Sequence, residues 1–97
     1  MKHSKTIKRP DGSKVCIDVR MIADSYRNEM PEYRVTVSHC LPRKRNFYFV
    51  VSTDSYEWRK LDSNGKRDYE IKKYLEYVTL DEIQAVKLEL WEMIKPQ

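Results

Sequence analysis

Two runs of strict alternation constrain this chain more than anything else in it. Between Lys14 and Ile22, the side chains Val15, Ile17, Val19 and Met21 share one face of an extended backbone, and Cys16, Asp18 and Arg20 share the other. From Glu32 to His39, Tyr33, Val35, Val37 and His39 oppose Arg34, Thr36 and Ser38. Successive side chains of a strand point to opposite sides, so this pattern commits each run to a strand with one buried face. A third run, Phe47 to Ser52, is apolar on both sides, with Phe47, Phe49 and Val51 opposing Tyr48 and Val50. It reads as a central strand, because burial on both faces is what a doubly apolar strand needs. Tyr56 to Leu61, with Tyr56 and Trp58 on one face, reads as a further strand.

The chain ends in a different periodicity. Thr79-Leu80-Asp81-Glu82 is a capping box, in which the Thr79 hydroxyl accepts from the Glu82 N–H and the Glu82 carboxylate reaches back to Thr79. Beyond it, Leu80, Ile83, Val86, Leu90, Trp91, Met93 and Ile94 fall within a sector about 160° wide on a helical wheel, the broad stripe of a helix packed on a sheet. Lys87 falls inside that sector, Leu88 outside it, and Pro96 stops the helix. Ile71, Tyr74, Leu75 and Val78 also recur at helical spacing, which predicts a helix over 69–77 with Asp68 as its N-cap. Asn64-Gly65 then marks the exit from the preceding strand, with a type I′ hairpin turn and a return strand as the alternative. Ile22, Tyr26 and Met30 lie four apart and suit a short helix over 22–30. The expected fold is α+β: a three- to four-stranded antiparallel sheet with two C-terminal helices packed on one face.

Residues 1–13 stand apart. They hold Lys2, Lys5, Lys8 and Arg9 with Ile7 the only large apolar side chain after Met1, and Pro10-Asp11-Gly12 is a turn signal. This segment reads as a flexible basic arm, or an arm ending in an edge strand, attached to a single domain over 14–97. No apolar run approaches the ~20 residues that cross a bilayer, and no hydrophobic leader follows the basic N-terminus. Cys16 and Cys40 belong to no CxxC pair and are too few for a secreted disulfide scaffold, so they read as reduced thiols in a cytoplasmic protein.

Catalytic material is sparse. His3 and His39 are the two histidines, and the chain has no HExxH, no phosphate-cradling glycine loop and no closely spaced metal-ligand pair. His39 and Cys40 are neighbours on a strand and point to opposite faces, which separates them as a dyad. His39 reads as a hydrogen-bonded strand-end residue, and Glu89 and Glu92 as a solvated helix face. No catalytic residue, metal or cofactor is expected.

Charge is more informative. Residues 1–67 carry 15 basic and 8 acidic side chains, whereas residues 68–97 carry 4 basic and 7 acidic. The basic groups cluster as Lys5-Lys8-Arg9, Arg43-Lys44-Arg45, Arg59-Lys60 and Lys66-Arg67, the last three near sheet loops and interleaved with Tyr48, Tyr56 and Trp58. Cations matched to phosphates and aromatics matched to bases suit DNA or RNA, so Arg43, Lys44, Arg45, Arg59, Lys60, Lys66 and Arg67 are expected on the nucleic-acid backbone. Tyr48, Tyr56 and Trp58 are expected to stack on bases or to line an interface. The alternative is a protein-binding inhibitor or adaptor, for which seven Tyr and two Trp supply rigid contact area. A homodimer formed through a spare sheet face or edge also fits this pattern.

Overall fold

The computed structural model describes residues 2–21, 33–52 and 61–94. Four strands, β1 (Lys2–Lys8), β2 (Lys14–Met21), β3 (Tyr33–Cys40) and β4 (Tyr48–Ser52), precede two helices, α1 (Ser63–Tyr74) and α2 (Leu80–Ile94). The strands pair antiparallel in sequential order, β1-β2-β3-β4. This is the α+β arrangement that the two periodicities predict. The short helix expected over 22–30 and the strand expected over 56–61 fall almost wholly outside the described residues.

The β2 and β3 alternation maps directly onto the sheet. Ile17 lies opposite Val37 and Val19 opposite Val35, and all four are buried on the side that carries the helices. They join Val15 and Val51 from the sheet and Tyr74, Val78, Ile83, Val86 and Leu90 from the helical segment in one core. α2 lies against β1 and β2, and α1 against β4. Its buried stripe is narrower than the wheel suggests: Ile83, Val86 and Leu90 are buried, while Leu80 and Met93, at the margins of the sector, are exposed. The capping box is present, with the Glu82 N–H donating to Thr79 Oγ1 at 3.1 Å and the Thr79 N–H donating to Glu82 Oε1 at 2.9 Å.

Three expectations are revised in detail. Of the two readings of the basic segment, a flexible arm or an arm ending in an edge strand, residues 2–8 take the edge-strand form as β1, paired with β2 along its whole length, and Pro10–Gly12 close the hairpin with Gly12 at φ 91°. Ile7 packs against the core there, opposite Val15, which gives the strand an apolar anchor. The second correction concerns α1, which begins at Ser63, so Asn64-Gly65 lies inside its first turn and forms no hairpin. Asp62 is the cap, its carboxylate accepting from the Gly65 N–H at 2.7 Å, and Asp68 sits mid-helix. The third is that β4 lies at the edge of the described sheet, not at its centre.

A bulge explains the mixed apolar pattern of β4. Val51 pairs with Val37 but Phe49 pairs with Ser38, so Val50 is the extra residue that interrupts the register. The alternation expected from sequence put Phe49 and Val51 on one face; the inserted residue separates them. Val51 and Val50 pack with the core, and Phe49 emerges on the opposite face.

Candidate nucleic-acid interface

The β1–β2 turn and the β3–β4 loop lie at one end of the sheet. Lys8–Lys14 and Lys14–Cys40 are the terminal pairs of their ladders, and Pro42 Cβ would lie 3.7 Å from a Cβ built on Gly12. Loop residues 41–47 leave β3 through a turn in which the Lys44 N–H donates to the Leu41 carbonyl at 3.1 Å. Pro42 occupies the second position of that turn and Arg43 the third, with φ 64°, the arrangement of a type II turn in which glycine is the usual third residue. The buried Cys40 thiol ties the loop back by donating to the Lys44 carbonyl at 3.1 Å. Both cysteines are free thiols, with Cys16 half-buried.

Arg43, Lys44 and Arg45 are all exposed in this loop, and Lys8 and Lys14 stand beside it on the face opposite α1 and α2. None of these five cations forms an ion pair among the described residues. Lys8 sits directly opposite Lys14, a like-charge pairing that destabilises an isolated ladder by a few tenths of a kcal/mol or more. Next to them, Phe47, Tyr48 and Phe49 are 41%, 43% and 58% exposed. Sequence patterning missed Phe47 and Phe49 as surface groups because it placed them on a central strand. Phe47 lies in the loop before β4, and Phe49 is turned outward by the bulge, which leaves no mark in composition.

The other basic groups behave differently. Arg9 donates from both terminal nitrogens to Glu82, at 2.7 and 2.8 Å, and also to the Tyr77 carbonyl at 2.8 Å. That partnership, reinforced by the Thr79 N–H, holds the Glu82 carboxyl down to about 2 and raises Arg9 above its ordinary value. Glu89 receives His3 Nε2 at 2.7 Å and Lys5 Nζ at 3.2 Å, which hold its carboxyl below the ordinary carboxylate range. Lys5 and Arg9 are thus both paired with acids of α2, Lys5 at the surface and Arg9 half-buried, and Glu89 is a partner for His3 and Lys5. Lys66 is half-buried in the first turn of α1, on the helix-covered side, and is not a free cation. Arg67 follows it in the same helix. Tyr56, Trp58, Arg59 and Lys60 lie outside the described residues.

His39 faces the helix side of the same end. Its Nδ1 lies 2.8 Å from the Tyr48 hydroxyl, and its ring is 4.8 Å from that of Tyr77. It is the hydrogen-bonded strand-end residue that the sequence suggests. Hydrogen bonding with Tyr77 pushes the Tyr48 phenol above its ordinary value. His39 and Tyr77 border a cleft of about 420 Å³ that also touches Arg9, Asp11, Ser13 and Glu76. Asp11 is held below its ordinary value by the Ser13 hydroxyl and N–H, at 2.6 and 2.8 Å. No group of three His, Cys, Asp or Glu among the described residues is arranged to hold a metal. No described helix is long and apolar enough to cross a membrane.

Comparison with protein-family models, with curated proteins and with solved structures finds no match, so function is read from this site alone.

Proposed function

We propose that this chain is a nucleic-acid-binding protein whose interface is the loop end of the sheet, with Arg43, Lys44, Arg45, Lys8 and Lys14 on phosphates and the Phe47–Phe49 segment against bases. One observation carries this reading: the cations at that end have no ion pair among the described residues, whereas Lys5 and Arg9 of the same basic half are neutralised by α2. Five such side chains on one small surface, two of them directly opposed, gain most from a polyanion that neutralises all of them together. The adjacent exposed rings supply a contact that is indifferent to salt and tolerant of sequence, since every base offers a π face.

The test is a fluorescence-anisotropy titration of labelled mixed-sequence single strand and duplex at about 50 and 200 mM salt. Binding should weaken steeply at the higher salt. The triple variant Arg43→Ala, Lys44→Ala, Arg45→Ala should weaken binding across sequences and flatten the salt slope by up to about 2 for a single strand. Unchanged affinity in that variant, or no binding to either probe at low salt, overturns the proposal and leaves a protein partner as the reading to pursue.

A further inference from the structure

We infer that the nucleic acid bound here is single-stranded and lies across the sheet face opposite α1 and α2 with one base stacked on Phe49. The inference rests on the proposed function and narrows it to one class of ligand and one path. Its starting point is the register of the rows on that face. Thr6, Cys16, Ser38 and Phe49 form one row across the four strands, immediately beside the Lys8–Lys14 pair. Ladder spacings place Phe49 about 10 Å across the sheet and about 7 Å along it from Lys14.

Three features favour a single strand over a duplex. The residues sharing Phe49's row, Thr6, Cys16 and Ser38, are small, and beside them the ring stands 58% exposed. A duplex keeps its base faces stacked inside and offers that ring at most a methyl edge, whereas an unstacked base covers it. The second feature is where the charges fall. Lys8 and Lys14 lie at one end of the face and Lys2 and Arg20 at the other, about 20 Å away along β1 and β2. Between them stands half-buried Asp18, its Oδ1 3.8 Å from Arg20 Nε, an acid that disfavours phosphates in the middle and leaves that ground to bases. The third is the bulge at Val50, which turns Phe49 to this face while keeping Val51 in the core. A strand anchored by phosphates at the loop end and crossing this face therefore meets Phe49 as an aromatic platform on it.

The experiment compares a labelled mixed-sequence single strand of about 12 nucleotides with its duplex, using the full chain. The single strand should bind at least about ten-fold tighter than the duplex, the gain expected from one or two stacked bases. Phe49→Ala should weaken the single strand by roughly 5- to 150-fold and leave the duplex within about two-fold, while Phe49→Trp restores binding. Circular dichroism of the variants checks that the fold is intact. Cys16, half-buried in Phe49's row, supplies an independent readout: its alkylation by iodoacetamide should slow when the single strand is added. Equal or tighter duplex binding, an indifferent Phe49→Ala variant, or an unprotected Cys16 overturns the inference. In those cases salt-steep binding that still depends on Arg43–Arg45 leaves the proposed function standing, whereas failure of both probes to bind removes both.

Discussion

Arg9 and Lys8 are neighbours in the chain and opposites in the fold. Arg9 follows the basic edge strand and turns to the helix side, where Glu82 and the Tyr77 carbonyl take up its guanidinium. Lys8 points to the other face, opposite Lys14, with no ion pair among the described residues. The difference shows that charge density along the sequence is not charge density on the surface. Strand alternation sends adjacent cations to opposite faces, and at this end of the sheet it is the face that meets α2 that brings Arg9 to an acid. The basic first part of the chain and its acidic last part thus cancel where β1 meets α2 and remain uncancelled at the β3–β4 loop.

The sharpest way to break this comparison is Arg9→Ala. It removes a two-pronged ion pair and a bond to a main-chain carbonyl, and is expected to destabilise the fold by about 2 to 3 kcal/mol in urea unfolding. It should leave nucleic-acid affinity within about two-fold, because that cation is already engaged. Lys8→Ala should do the reverse: less than about 0.5 kcal/mol in stability and a measurable loss of binding. Equal effects of the two variants on stability would erase the distinction.

A pH titration of stability sharpens it further. The Glu82 carboxyl is lowered from 4.5 to about 2 in the folded chain, so the unfolded chain takes up a proton first as pH falls. The stabilisation from this ion pair is therefore fully present above pH 4.5, declines below it and is gone once pH has fallen past about 2. In Arg9→Ala the loss of stability over that window should be visibly shallower. An identical slope in both proteins would mean that other carboxylates set the acid limb.

The smallest effect expected is also diagnostic. Arg43 holds a left-handed backbone conformation that glycine adopts without a Cβ penalty. Arg43→Gly should therefore be neutral or stabilising by up to about 1 kcal/mol, while still weakening binding by removing a cation. Stability and affinity moving in the same direction would argue that Arg43 serves the loop and not a ligand.

Much of the architecture was legible because it rests on local rules. Alternation in β2 and β3 named the sheet core, and the Thr79–Glu82 box named the start of α2 to the residue. The start of α1 escaped the same reasoning. Asn64-Gly65 is a strong turn signal, yet a cap from Asp62 carries the helix through it, and tertiary packing of Tyr74 and Val78 holds it there. The site was half legible. Arg43–Arg45 stood out as a run of cations, but Phe49 did not, since a single extra residue at Val50 reverses which side of the sheet it faces.

By itself, then, the sequence determined the class of fold, the buried face of its two inner strands, the capped last helix and the basic loop, each because the information lies within a few residues of where it acts. Tertiary structure alone decided which cations are spent on internal acids, which rings reach the surface and which sheet face α1 and α2 cover. Those outcomes depend on strand register and on partners 73 to 86 residues away in the chain, as with Arg9 and Glu82 or His3 and Glu89. No local pattern encodes a distance of that kind.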